Sequence, residues 1–464
     1  MKIALKIFKW LAGGLLGFII IVGLCWWLIP DEELNPEAEK FVAQAPVPPA
    51  EKNGYFMIWG LAASPELDPH KVGQQIVAAH DRIIAAEKDL SRFKVDSFYG
   101  DNPLKFPKDS KRLCDAEKEN CLQVYQAKRA EVEAQSEEQK IYLARYRKIR
   151  DYEDFGAAMS QQYYQTPVPN WQPILRMSDL VDGAIAQRVA IKSSREAALE
   201  ELAAEINSWR RLLQSNDWLI TQMISVVTLH RKYQLASAIM NAYPEAVAAY
   251  PVVFAKMATP LLPGKTNIQS SMRSEARSTL ALHQNIHQQG RFLADTIFEG
   301  MPGIPLRLAL VAGGYRSNAS INQSYVAFKV ADDILSKSPK EMVEGRQAML
   351  ERQARVNALS IGAIFFNPVG RIINGVAYPD YSNYAHRIDD LIGLSRLVDL
   401  QRRIIEGKIP LADVGGMLAN AGPGLMDPFT EKPMQWDTAS KKISFVLHGK
   451  RFANFGYVTL ENIK

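Results

Sequence analysis

The chain opens with an apolar run from Trp10 to Ile29 that contains no charged residue. A helix of about 20 apolar residues rises roughly 30 Å, the thickness of a bilayer core, so the run predicts a transmembrane helix. Lys2, Lys6 and Lys9 precede it, and Asp31, Glu32 and Glu33 follow it. By the positive-inside rule, residues 1–9 form a cytoplasmic tail, 10–29 span the membrane and the remainder lies outside the cytoplasm. Trp10 marks one interface, and Trp26 with Trp27 the other. Bulky Trp26, Trp27 and Leu28 stand where a signal peptide would need small residues, so the segment reads as an uncleaved anchor. Leu24 before Cys25 does not fit a lipidation signal.

Residues 30–53, with Pro46, Pro48 and Pro49, read as an extended linker off the membrane. Residues 54–383 then read as a helical extracytoplasmic domain. Asp68 before Pro69 has the form of an N-cap, opening a helix to about Phe93 with Val72, Ile76, Val77, Ile83 and Ile84 on one side. The stretch Asp96–Cys121, rich in Pro, Lys and Asp, reads as a surface loop, and Leu122–Phe155, charged with both signs, as a solvated helical face. Between Ser193 and Tyr243 the spacing predicts a helical hairpin. Leu199, Leu202, Ile206, Trp209 and Leu213 recur at helical spacing, and a second helix through Met223 and Val227 is apolar nearly all round, which places it at the core. The apolar stretches Ala246–Leu262, Ile304–Ala312 and Val356–Phe366 are expected to be core helices.

From residue 384 the pattern changes. A helix to about Ile405 leads through a Gly-rich loop to three short segments of strand composition, Pro433–Trp436, Lys442–Leu447 and Tyr457–Leu460, with a turn at Asp437–Ser440. The expected fold is therefore mainly α: an N-terminal transmembrane helix, an irregular helical-hairpin domain, and a small α+β cap over 384–464 with a short antiparallel sheet.

Composition narrows the functional classes. In 464 residues the formal net charge is only +5, and Lys and Arg are interleaved with Asp and Glu, which argues against nucleic-acid binding. Cys25 lies in the anchor, leaving Cys114 and Cys121 as the pair in the exported part. They are expected to form a disulfide, worth about 2 kcal/mol for so short a loop.

Two stretches carry resemblances. The run Asp427-Pro-Phe-Thr-Glu-Lys-Pro-Met-Gln-Trp436 resembles the helix-to-sheet end of pseudopilin-like proteins, with Glu431 where glycine is usual and Trp436 where tyrosine is usual. Phe366-Asn-Pro-Val-Gly370, Tyr381-Ser-Asn-Tyr384, Asp389-Asp390 and Asn53-Gly-Tyr-Phe56 together resemble uncharacterised proteobacterial single-pass inner-membrane proteins. That resemblance implies a periplasmic domain and supplies no catalytic residues.

His283 and His287, four apart in a helical stretch, are the weak candidates for a metal site, completed only if Asp295 or Glu299 approaches. His230 reads as a core histidine, Gly264-Lys265-Thr266 lacks the rest of a phosphate loop, and the pairs Asp332-Asp333 and Asp389-Asp390 read as charged helix faces. Gly313-Gly314 and Gly415-Gly416 read as turn glycines, while Gly13 and Gly17 give the anchor a small-residue face on which a homodimer could pack. No nucleophile elbow or cofactor motif is present in the sequence, and no catalytic residue or cofactor is assigned. The expected role is a non-enzymatic scaffold or interaction protein of the cell envelope, touching the bilayer through its first helix and a protein partner through its domain. The alternative is an envelope hydrolase or metal-dependent enzyme acting on peptidoglycan or lipid.

Overall fold

The computed structural model describes residues 2–43, 48–86, 93–107, 112–156, 166–215, 218–266, 268–289, 313–358, 360–377, 380–449 and 456–461. Helices dominate, and the C-terminus carries an antiparallel sheet in the order β1 (Gln435–Asp437), β2 (Lys442–Ser444), β3 (Tyr457–Thr459). The Asp437 carboxylate accepts from the Ala439 N–H at 2.9 Å and the Ser440 hydroxyl at 2.6 Å, which shapes the turn into β2.

The first helix, Lys2–Leu28, contains the apolar run, and only 6 % of its Trp10–Leu28 window is covered by the rest of the protein. It is long and apolar enough to cross a membrane. Nothing lies within 4 Å of where a side chain would begin at Gly13 or Gly17.

At the centre, the Leu219–Ala242 helix packs against the Arg195–Ser215 and Tyr381–Glu406 helices, as its apolar surface requires. The Tyr381–Glu406 helix buries Ile388, Leu391, Leu394, Leu397, Val398 and Ile404. The same hydrophobic core takes in Ile443 and Val458 of the sheet. The C-terminal segment is thus continuous with the helical body, because three strands of three residues bury too little apolar area to stand alone. Asp68 does cap its helix, accepting from His70 N at 2.9 Å and Lys71 N at 3.3 Å, and that helix spans Pro69–Ala85.

Three stretches depart from the sequence reading. Residues 30–43 are docked on the body, not extended from it. Asn35 caps a short helix, Pro36–Phe41, whose Ala38 is fully buried. Leu122–Phe155 is broken into helices Cys121–Ala127, Arg129–Glu138 and Lys140–Ile149, and Tyr142, Arg145 and Tyr146 are buried. Arg145 donates to the carbonyls of Leu61, Ala63, Ser64 and Leu67, so a residue read as solvated ties a loop to the core. Charge-assisted bonds of this kind contribute about 1.5–3 kcal/mol. Finally, helix Ile361–Phe366 is not core, since Ile361 is 78 % exposed. The expected Ile304–Ala312 helix lies outside the described residues.

The first helix meets the body through a polar clamp. The Ser317–Leu335 helix begins after Arg316, whose own side chain makes no cap. Asp31 supplies the cap instead, its carboxylate accepting from Asn318 N at 2.9 Å and Ala319 N at 3.1 Å. Arg316 reaches back to the carbonyls of Trp26 and Ile29, placing a cation at the negative end of the anchor helix. Gly313, with φ +89°, carries the turn, and a side chain there would begin 3.3 Å from the Trp26 carbonyl oxygen.

Candidate functional site

Two clefts open on the body, each with buried charges at its wall. The first, about 480 Å³, lies between the Cys114–Cys121 loop, one face of the Leu219–Ala242 helix and β3. Cys114 and Cys121 are at bonding distance, S–S 2.10 Å, and pin its rim. Asp182 forms part of its floor. Behind it Lys232, fully buried, donates to Asp182 at 2.7 Å and lies 3.1 Å from Glu205. Tyr146 donates to Glu205 and Tyr125 to Asp179, each at 2.5 Å. Burial pushes Asp182 up to about 6, with Lys232 opposing. Burial alone would lower Lys232, but Asp182 and Glu205 outweigh it and hold the ammonium above its ordinary value.

The second cleft, about 640 Å³, is bounded by the Pro263–Lys265 turn with Thr266 and Ile268, the start of the Pro339–Asn357 helix and the Asp427 turn. Asp389 and Arg396 stand two turns apart on the Tyr381–Glu406 helix, and both line it together with Asp427. Arg396 donates to the Met426 carbonyl at 2.6 Å, while its Nε has no hydrogen-bond partner. Asp389 Oδ2 likewise has none, with His386 Nδ1 3.8 Å away. Burial raises Asp389 and lowers Arg396. Asp390 accepts from the backbone N–H groups of His448 at 2.9 Å and Gly449 at 2.7 Å. A side chain at Gly449 would begin 2.6 Å from Asp390 Oδ2, so only glycine allows this approach. Burial, helped by Asp389 and Asp427, pushes Asp390 up to about 7 against those two bonds. The pair Asp389-Asp390 is therefore buried at a cleft and does not form a charged helix face.

Asp427 organises the edge of this cleft. Its carboxylate accepts from Phe429 N at 2.9 Å and the Thr430 hydroxyl at 2.8 Å, closing a turn in which Glu431 adopts φ +57°. The residue standing where glycine is usual in pseudopilin-like ends thus has the left-handed backbone that glycine accepts without strain.

His283 is fully buried, with Nδ1 2.9 Å from the Tyr315 hydroxyl and Nε2 2.8 Å from Asn374 Oδ1. Asn374 Nδ2 donates to the Ser320 carbonyl, which fixes the amide orientation and assigns the proton of His283 to Nε2. Burial pushes this ring down to about 4, so it is neutral and both nitrogens are engaged within the fold. His287 lies in the same helix, Gln269–Gln289, while Asp295 and Glu299 lie outside the described residues. Among the described residues no group of three or more His, Cys, Asp or Glu is arranged to hold a metal ion. His230 is buried, and burial lowers it to about 3. Asp332 pairs with Arg273 at 3.1 Å and Lys329 at 3.2 Å, and Asp333 pairs with Lys329 at 3.0 Å. Gly264 and Lys265 belong to a single turn at the edge of the second cleft, and Gly415 and Gly416 fall inside the Val414–Ala419 helix.

The sequence reading missed Lys232, Asp182, Glu205 and Arg396. One signal was present: Asp179 and Asp182 fall three apart inside the apolar run of the Trp171–Val189 helix, where unpaired carboxylates would be costly. No family model, curated protein or solved structure matches this chain.

Proposed function

We propose that this chain is a single-pass inner-membrane protein with its N-terminus in the cytoplasm and its helical body in the periplasm, where it serves as an interaction scaffold. The observation that carries the reading is the anchor itself. It is an apolar helix left uncovered by the body and fastened to it at one end by Asp31 and Arg316. The flanking charges support the orientation, the paired cysteines suit an oxidising compartment, and the resemblance to proteobacterial inner-membrane proteins points the same way.

The larger cleft is the surface offered to a partner. Its size suits a peptide segment, and the Asp389 and Arg396 side chains in its wall offer charges of both signs to the polar groups of a peptide. His283 gives the hydrolase reading no support, because it spends both ring nitrogens inside the fold.

Alkaline phosphatase fused behind Lys464 is expected to be active, and a fluorescent protein that matures only in the cytoplasm to stay dark. The opposite pair of readouts sinks the topology. A photocrosslinker at Lys337, on the rim of the larger cleft, is expected to capture a discrete adduct that Arg396→Lys weakens. An adduct indifferent to Arg396, or none, removes the cleft from the proposal.

A further inference from the structure

The short helix Ile361–Phe366 has the sequence of a core element and the exposure of a surface one. From Val356 to Gly370 the chain carries no charge, yet Ile361 is 78 % exposed. Water is a poor neighbour for such a surface unless something else covers it.

The surroundings say what covers it. The Trp26 indole N–H donates to the Ile364 carbonyl at 2.9 Å, and the rings of Phe18 and Phe365 meet edge to face with centroids 5.7 Å apart. Phe18 precedes Trp26 by eight residues, so at 1.5 Å per residue it lies about 12 Å further along the anchor. One leaflet of a bilayer core is about 15 Å thick. Phe365 therefore meets the anchor well inside the apolar span, on the cytoplasmic side of Trp26. The polar clamp gathers instead at the other end, where Arg316 takes the Trp26 and Ile29 carbonyls and Asp31 caps the Ser317–Leu335 helix. In the following helix, Pro368–Ala377, Val369 and Ile373 turn inward while Ile372 remains exposed.

We propose that the Ile361–Phe366 helix sits within the leaflet on the body's side, covered by lipid acyl chains, as a second membrane contact that does not span. The inference rests on the anchor reading above, and its test separates the two. Cys25→Ser removes the one free thiol among the described residues, since Cys114 and Cys121 are bonded to each other. In that background, full-length protein in lipid nanodiscs receives a nitroxide at Ile361→Cys, at Ile372→Cys, at Ile20→Cys in the anchor, or at Glu133→Cys on an exposed helix. Power-saturation EPR then compares access by oxygen, which concentrates in acyl chains, with access by a water-soluble nickel chelate. The oxygen-to-nickel ratio at Ile20 and Ile361 is expected to exceed that at Glu133 several-fold, with Ile372 between them. A ratio at Ile361 equal to that at Glu133, with Ile20 still high, overturns the insertion and leaves the anchor standing. Low ratios at both Ile20 and Ile361 overturn both.

Discussion

Two groups of charges are buried in the body, and they are finished to different degrees. Around Lys232 the ammonium is shared between Asp182 and Glu205, and Tyr146 donates to the same glutamate, whose Oε1 alone in this group lacks a hydrogen bond and lies 3.6 Å from Arg150. Around Asp390 the chain brings together Asp389, Asp427, His386, His448 and Arg396, yet Asp389 Oδ2, His386 Nδ1 and Arg396 Nε have no hydrogen-bond partner. The first group lies where three long helices pack together behind the floor of one cleft, and Asp389, Arg396 and Asp427 of the second line the other. Burial without full pairing is costly, so the second group carries a penalty that the first, with its cation shared between two carboxylates, largely avoids.

The largest expected effect comes from breaking the better-paired group. Lys232→Met leaves two carboxylates in the core without their cation and should cost about 3–5 kcal/mol of unfolding free energy. Replacing Asp182 and Glu205 with leucine at the same time should recover most of that loss. Urea denaturation in detergent distinguishes the two variants. If the single variant proves as stable as wild type, the network contributes nothing and the comparison fails.

The second effect tests the unfinished group through pH. The folded pKa of Asp390 is pushed up to about 7 from the ordinary 3.8, so the native state binds its proton more tightly than the unfolded chain does. Its ionisation thus destabilises the fold above pH 7, and the penalty is relieved as pH falls through 7 and is gone below about 4. Asp390→Asn removes this dependence. Relative to that variant, wild type should gain a few kcal/mol between pH 8 and pH 4, at 1.36 kcal/mol per pKa unit. A difference that stays flat over that window contradicts the assignment.

The smallest effect lies at the edge of the same cleft. Glu431→Gly relieves a left-handed backbone and gives up only an exposed contact with Lys340 at 3.4 Å. It should stabilise the protein by about 1 kcal/mol, read as a rise in thermal midpoint. A fall would mean that the Glu431 side chain holds the Asp427 turn more firmly than the contacts show.

The sequence revealed those elements whose signal is local. Periodicity placed the central helix, Asp68-Pro69 announced a helix start, strand composition and a turn located the strands, and an uncharged run marked the first helix. Partnership across long separations was not legible. Lys232 reads as one more charge on a helix until the fold places Asp182 and Glu205 against it, and Arg145 looks solvated until a loop carrying four carbonyls wraps around it. The apolar stretch at Ile361–Phe366 looked like core because composition records that a surface avoids water, not what covers it.

The capping of the Ser317–Leu335 helix by Asp31 also has a consequence for the order of events in synthesis. Asp31 and Ala319 are 288 residues apart, and at roughly 5–20 residues per second the ribosome needs on the order of 15–60 s to go from one to the other. Throughout that interval the first helix and its acidic neighbours have been made, while the amides they will cap have not. The clamp thus cannot close until the start of the Ser317–Leu335 helix has been made. A nascent chain halted before residue 317 would carry a first helix with no body fastened to it.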